Sequence, residues 1–406
     1  MNMHQTLRRD PGDAALSKRK SHVIGERPSF DCIALVLQGG GALGAYQGGV
    51  YEALAEADLH PDWVAGISIG AINAALIAGN PPEKRVEKLR AFWELVTDEP
   101  GWSWFNGMEN SVMRADAMRR TMSQIAATKA LTAGAPGFFV PRNLNPWWEA
   151  TGTQEATSYY DTSPLRATLE RLVDFDRINV PGQMRFSVGA VNVRTGNFTY
   201  FDARTHHIEP EHVMASGALP PGFPAVEIEG EQYWDGGLVS NTPLEWVVER
   251  EEREQREDML IFQVDLWSSR GETPSIMADV MSRQKEIQYS SRTRAATNAV
   301  RRRRQLSSAL AKLLDRVPPE FHNGPEVRLL EEAADLSVYN IIQLVHRAEN
   351  FEGHSKDYEF SRRSMESHWR AGYHDAIRTL RHPEVLQRPS VLDGVFTFDL
   401  AFDGRE

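Results

Sequence analysis

An apolar run, Cys32 to Leu37, opens directly onto Gln38-Gly39-Gly40-Gly41-Ala42-Leu43-Gly44, after which Val50, Leu54 and Ala57 recur at helical spacing. That order predicts a strand over 32–37, a glycine turn and a helix over 46–57, the opening unit of a layered α/β fold. Three consecutive glycines let backbone N–H groups converge at a helix N-terminus, where they can hold an anion or a developing oxyanion. Gly39, Gly41 and Gly44 also satisfy the G-x-G-x-x-G spacing of a dinucleotide-binding turn. Such a unit places an acid near the end of its second strand to hold a ribose hydroxyl. Here the second strand, 63–67, is followed by Ser68, and the nearest acid, Asp62, stands at its beginning, so the nucleotide reading loses ground.

The same strand runs into Gly66-Ile67-Ser68-Ile69-Gly70 and a small-residue helix over 71–78, which Gly79-Asn80-Pro81-Pro82 ends. A G-x-S-x-G between strand and helix has the spacing of a nucleophile elbow. The sharp turn lifts the serine hydroxyl out of the sheet, and Gly66 and Gly70 avoid collision on either side. The helix N-terminus then favours negative charge beside Ser68. A third motif, Tyr233-Trp234-Asp235-Gly236-Gly237-Leu238, ends a strand on an aspartate and turns the chain with two glycines. Alone it reads equally well as a plain Asp-Gly turn. Between serine and aspartate, the stretch from Ala215 to Pro224 suits a rigid pocket wall.

The remaining pattern extends this alternation: helices over 83–96 and near 165–173, strands at 185–193 and 198–201, and a closing buried strand at 261–266. A mostly parallel sheet covered on both faces follows, a three-layer α/β/α sandwich. Residues 1–30 are polar and read as a flexible leader, 31–267 as the catalytic unit, and 268–406 as a mostly helical extension. In the extension, helical patterns are expected near 336–345 and 358–380, with a short strand at 395–400. The chain of 406 residues carries 45 Lys plus Arg against 56 Asp plus Glu, a net charge of −11 that argues against a general nucleic-acid binder. One cysteine, Cys32, makes an intrachain disulfide impossible and reads as a small buried hydrophobe. With no signal-peptide pattern and no apolar run long enough to span a bilayer, the expected location is cytoplasmic.

In family order, these blocks resemble the patatin-like phospholipases, a family of lipid acyl hydrolases. Gly39-Gly40-Gly41-Ala42-Leu43-Gly44 matches the oxyanion loop, Gly66-Ile67-Ser68-Ile69-Gly70 the elbow, and Asp235-Gly236-Gly237 the aspartate motif, with 215–223 as a fourth, proline-containing block. The match covers 31 to about 245. It implies a Ser-Asp dyad in which Ser68 attacks an ester carbonyl and Asp235 takes its proton without a histidine. It further implies an oxyanion held by loop amides, nominally Gly40 and Gly41, with no cofactor and a glycerolipid or other fatty-acyl ester as substrate. Family members often carry Arg or Lys where Leu43 stands, which leaves neutral acylglycerols open beside charged phospholipids. The extension resembles an extra region of a bacterial subgroup.

Three other readings stand beside this one. A classical α/β-hydrolase triad has the order serine, acid, histidine, which His322, His346, His354, His368, His374 and His382 all satisfy. A scaffold that binds lipid without catalysis is disfavoured by the presence of both Ser68 and Asp235. For a metal, the closest cluster is His206-His207 with His212, which lacks a completing ligand set, so no metal is expected. Two further segments have double readings. Trp102, Trp104, Phe105, Phe138, Phe139, Trp147 and Trp148 form either a lid or acyl-chain contact, or a satellite core. Nine cations between Met281 and Leu314, including Arg301, Arg302, Arg303 and Arg304, form either a face for anionic lipid at the inner side of the cell membrane, or partners for the acids Glu249, Glu251, Glu252, Glu254, Glu257 and Asp258. Nucleic acid is not expected there, and the oligomeric state is open.

Overall fold

The computed structural model describes residues 21–97, 116–249, 256–290, 293–318, 324–347, 353–391 and 394–399. Trp102, Trp104, Phe105, Glu251, Glu252, Glu254, Arg292, His322 and most of the leader lie outside these. In chain order the elements begin β1 (Cys32–Leu37), α1 (Ala45–Glu56), β2 (Trp63–Gly66), α2 (Ile69–Ala78), α3 (Pro82–Val96) and α4 (Asp116–Ala133). Then come β3 (Val140–Pro141), β4 (Tyr160–Asp161), α5 (Ser163–Leu172), α6 (Phe175–Asn179), β5 (Arg185–Asn192), β6 (Phe198–Asp202) and α7 (Pro210–Ser216). They continue with β7 (Val226–Ile228), β8 (Glu231–Asp235), α8 (Leu244–Val248), β9 (Met259–Asp265), α9 (Met277–Tyr289) and α10 (Thr293–Leu314). The last are α11 (Pro325–Ala333), β10 (Tyr339–Val345), α12 (Arg362–Leu380) and β11 (Val395–Phe398).

Nine strands form one mixed, mostly parallel sheet in the order β11-β10-β9-β1-β2-β5-β8-β7, with β6 also on β5. Side chains alternate between its faces, and the two faces bury different partners. Ile33, Leu35 and Leu37 pack with residues of α1, α2, α3 and α12. Cys32, Ala34 and Val36 pack on the opposite side with Leu244, Val247 and Val248 of α8 and with Val300 of α10. The expected three layers are therefore present. Every residue of β1 is buried, which is why it reads as a continuous apolar run rather than an alternating one.

Residues 339–345 form a strand, not the expected helix. β10 pairs in parallel with β9 along its whole length, Tyr339 opposite Met259 and Val345 opposite Asp265. The strand 259–265 therefore lies inside the sheet rather than closing it. A short apolar run buried on both faces carries no alternation to separate strand from helix, and the open edge of β9 decides the matter. Asn340 within the run is buried with its amide nitrogen donating to the Val385 carbonyl at 2.6 Å. On one face, α12 crosses α1 so closely that a Cβ on Gly49 would come within 1.8 Å of the Trp369 carbonyl oxygen, and one on Gly372 within 2.0 Å of that of Tyr46. The later part of the chain thus shares both sheet and core with the earlier part.

Candidate active site

β5 uses one edge for β6 and the other for two strands in succession. β2 occupies that edge up to Gly66, opposite Val188, and β8 takes it over with Asp235 opposite Ala190. Since β8 is antiparallel to β5, it runs head-on toward the end of β2. The chain leaves β2 at the elbow, just where β8 ends on Asp235. This register brings together two residues far apart in sequence.

Ser68 adopts φ 56° and ψ −124°, a backbone conformation costly for a side-chain-bearing residue, and caps α2, whose residues are all buried. The turn closes only on glycine. A Cβ on Gly66 would meet the Gly70 carbonyl oxygen at 2.2 Å, and one on Gly70 that of Leu37 at 2.3 Å. The Ser68 backbone N–H donates to the Ser216 hydroxyl at 3.0 Å, which donates in turn to the Gly189 carbonyl at 2.7 Å. Ser216 ends α7 and is fully buried. It ties the elbow to β5.

Asp235 is 2% exposed. Its carboxylate accepts a hydrogen bond from the Gly237 N–H at 2.7 Å, and the Ser68 side chain lies beside it as a second donor. Burial pushes its pKa up to about 6, against the lowering effect of those two donors. It is therefore ionised at neutral pH yet more basic than an ordinary carboxylate. Gly236 packs behind it, with room for no Cβ against the Gly189 carbonyl.

Among the glycine-loop positions, Gly39 lies against Ser68, where a Cβ would come within 3.0 Å of the serine Cβ. Its N–H donates to the Asn241 carbonyl at 3.2 Å, and the Ala42 N–H donates to the Asp357 carbonyl at 2.8 Å. Gly39 and Ala42, both within the expected oxyanion loop, thus have their amides already engaged and anchor it. Gly44 packs against the Ile69 side chain and serves close helix packing. The N–H groups of Gly40 and Gly41 meet no acceptor among the described residues. Gly41 holds φ 57° and admits no side chain, since a Cβ would lie 2.0 Å from the Asp357 carbonyl oxygen. Leu43 is fully buried, so this position faces the core rather than a headgroup.

Several neighbours carried no sequence motif. Asn241 donates to the carbonyls of Gly39 at 3.1 Å and Tyr289 at 2.8 Å, and Trp267 Nε1 donates to that of Gly39 at 3.0 Å. The Tyr289 phenol has a raised pKa, first from burial and then from the nearby charges of Asp235 and Asp357. Of the residues around the site without a motif of their own, Ser216 fell within the stretch expected to form a pocket wall and Tyr289 within the basic segment.

The described histidines have other neighbours. His346 packs between the rings of Tyr46 and His368, at 5.2 and 4.9 Å. His382 contacts Glu384 at 3.1 Å, and His374 is exposed beside Tyr373. The His212 ring accepts from the Glu209 N–H at 3.0 Å within a helix cap. Among the described residues, no group of three or more His, Cys, Asp or Glu is arranged to hold a metal.

The aromatic segment divides. Phe138 and Phe139 pack in the core with Phe223 and Phe360 at 5.3–5.9 Å, whereas Trp147 and Trp148 are 83% and 79% exposed. Of the two readings of the basic segment, pairing with acids holds for Lys285, Arg303 and Arg304. Arg304 is buried and pairs with Asp335, Arg303 pairs with Glu249, and Lys285 binds Asp357. No described helix is long and apolar enough to cross a membrane.

An α/β sheet with a strained serine at a strand-to-helix turn, set beside a buried carboxylate, has the layout of a serine acyl hydrolase. A family model described as patatin-like phospholipase matches residues 35–247, more than half of the chain, and the chain belongs to that family. A second model, DUF3734, described as patatin phospholipase, matches residues 287–391. The patatin-like phospholipase domain-containing protein ZK370.4 of Caenorhabditis elegans is 35% identical over 114 residues, which is 28% of this chain and 7% of that protein. The chain therefore spans only a small part of that relative. The crystal structure of VipD from Legionella pneumophila aligns over 96% of this chain and 77% of its own at 14% identity, with a TM-score of 0.38.

Proposed function

We propose that the protein hydrolyses fatty-acyl esters of glycerolipids through a Ser68-Asp235 dyad. The observation that carries this reading is the placement of Ser68, on its strained turn, beside the buried Asp235 and a glycine loop with two unengaged amides. The Ser68 oxygen attacks the ester carbonyl carbon as Asp235 takes its proton. The carbonyl oxygen becomes an oxyanion facing the N–H groups of Gly40 and Gly41. As the C–O bond to the leaving alkoxide breaks, Asp235 returns the proton to it. Water then repeats the sequence on the acyl-serine: Asp235 accepts a water proton, the fatty acid leaves and Ser68 is reprotonated.

A raised carboxylate pKa suits this role, because a general base works best when its pKa approaches the working pH. The partners of Asp235 described above do the orienting that a histidine triad would otherwise supply. The loop joining β3 to β4 carries Trp147 and Trp148 on the side where Tyr159 and Tyr160 bond to Pro221 and Gly222. Paired exposed tryptophans suit a lipid–water interface, and this loop is our choice for the lipid-facing side.

The test compares wild type with Ser68→Ala and Asp235→Ala on a mixed glycerolipid extract, reading released fatty acids and labelling by a fluorophosphonate. Loss of both signals in Ser68→Ala, and loss of hydrolysis in Asp235→Ala, is the expected result. Hydrolysis that survives in Ser68→Ala, or that one histidine substitution abolishes, sinks the dyad.

A further inference from the structure

The glycine loop is tied at both ends to residues beyond the first family match. At one end, the Gly39 carbonyl accepts from Asn241 and Trp267, and Asn241 in turn donates to the carbonyl of Tyr289 at the C-terminus of α9. That carbonyl, in the last turn of a helix, has no intrahelical partner and is free to accept. Gln38, just before the loop, donates to the same carbonyl at 3.2 Å. At the other end, the Asp357 carbonyl accepts the Ala42 N–H. The Asp357 side chain is held by Lys285 of α9, whose ammonium lies 2.8 Å from both carboxylate oxygens and 3.2 Å from the His354 carbonyl. Lys356 closes a second link to α9 through Glu286 at 2.7 Å.

One helix thus braces both ends of a four-residue loop. In a planar trans peptide the C=O and the next N–H point in opposite directions, so fixing the Gly39 carbonyl also fixes the Gly40 N–H. Fixing the Ala42 N–H likewise limits how the Gly41–Ala42 peptide can rotate. The two amides between these anchors are the unengaged ones.

We infer that α9 and the 353–361 segment form a clasp that sets the direction of the Gly40 and Gly41 amides, with Lys285 as its positioning residue. This rests on the reading of the loop as the oxyanion site. The later region, whose sequence assigns it no chemistry, is then a working part of the earlier one. A charged Lys–Asp pair suits this task because three ammonium donors reach two carboxylate oxygens and a carbonyl at once, locking the segment that presents the Asp357 carbonyl.

The experiment uses the full chain carrying Lys285→Met, Lys285→Arg or Asp357→Asn. Hydrogen exchange is followed across residues 39–44, with kcat and KM on a water-soluble 4-nitrophenyl ester and a thermal melt for folding. Lys285→Met is expected to speed exchange at Ala42 about tenfold or more, and to lower kcat about ten- to a hundredfold with KM within about twofold, as misplacement of transition-state donors would. Lys285→Arg restores most of both. Asp357→Asn repeats the loss without altering α9 if Lys285→Met does not fold. Unchanged exchange overturns the clasp, and faster exchange at unaltered kcat overturns its catalytic role. An inactive, unlabelled wild type defeats the hydrolase reading while the exchange result still decides the clasp.

Discussion

The Ser216 hydroxyl accepts the backbone N–H of Ser68 at 3.0 Å while donating to the Gly189 carbonyl at 2.7 Å. One buried side chain therefore satisfies a strained turn and a strand carbonyl together. Ser216→Ala leaves two buried polar groups unpaired, at a cost of about 1–3 kcal/mol. Activity on a soluble ester is expected to fall about tenfold with little change in KM, because the elbow loosens without leaving the site. Steady-state kinetics beside a urea melt check this; wild-type values in both would show that the link carries nothing.

Asp235 makes activity and stability depend on pH in opposite senses. Its pKa rises from an unfolded value near 3.8 to about 6, so the native state binds more protons between those limits. Stability therefore decreases as pH rises from about 4 to about 6, by on the order of 3 kcal/mol, while kcat/KM on a soluble ester rises through pH ~6 as the base ionises. Asp235→Asn should abolish hydrolysis and raise the melting temperature at pH 8, with the advantage vanishing near pH 4. A variant less stable than wild type at pH 8 would contradict the burial argument.

Backbone strain at Ser68 separates two substitutions of equal chemical consequence. Ser68→Gly and Ser68→Ala both remove the nucleophile, but only glycine adopts φ 56° and ψ −124° at little cost. Ser68→Gly should be more stable than Ser68→Ala by about 1 kcal/mol in chemical denaturation. Equal midpoints would argue that the turn relaxes.

Trp147 and Trp148 are exposed and adjacent, and their joint replacement by serine removes no core contact. The double variant should bind phosphatidylcholine vesicles at least about tenfold more weakly and still hydrolyse a soluble ester at the wild-type rate. Co-sedimentation measures the first, and equal binding would move the lipid-facing side elsewhere.

Arg304 and Arg302 are neighbours in sequence with different fates. Arg304 sits over the Tyr339 ring and pairs with the buried Asp335 and with Ser337, whereas Arg302 is exposed. Arg304→Met removes one of two guanidinium partners of Asp335, which keeps Arg256 at 3.7 Å and two hydrogen bonds from Ser337, and should cost about 1.5–3 kcal/mol, while Arg302→Met leaves stability within about 0.5 kcal/mol. Denaturant curves of the two variants decide; equal stability would return Arg304 to the solvated face.

Much of this was legible along the chain. β1, the glycine loop, the elbow and the Asp235 turn are local devices, each written in a few adjacent residues whose steric demands admit little else: Gly66 and Gly70 stand where backbone meets backbone. β10 was not legible, because an apolar run buried on both faces has no period, and its identity depends on the free edge of β9. The basic stretch was ambiguous for a related reason, since charge alone does not say whether a solvent face or an Asp335 awaits it.

The site divides the same way. Local sequence makes Ser68 a strained residue at a helix start and Asp235 the end of a strand, because those features depend on neighbours within a few positions. That β8 meets the end of β2 along one edge of β5, and that Asp357 reaches the amide of Ala42, are matters of long-range pairing. Such contacts form only when the whole sheet has assembled. The motifs mark Ser68 and Asp235 locally, and the packed sheet sets the register and burial that bring the two together.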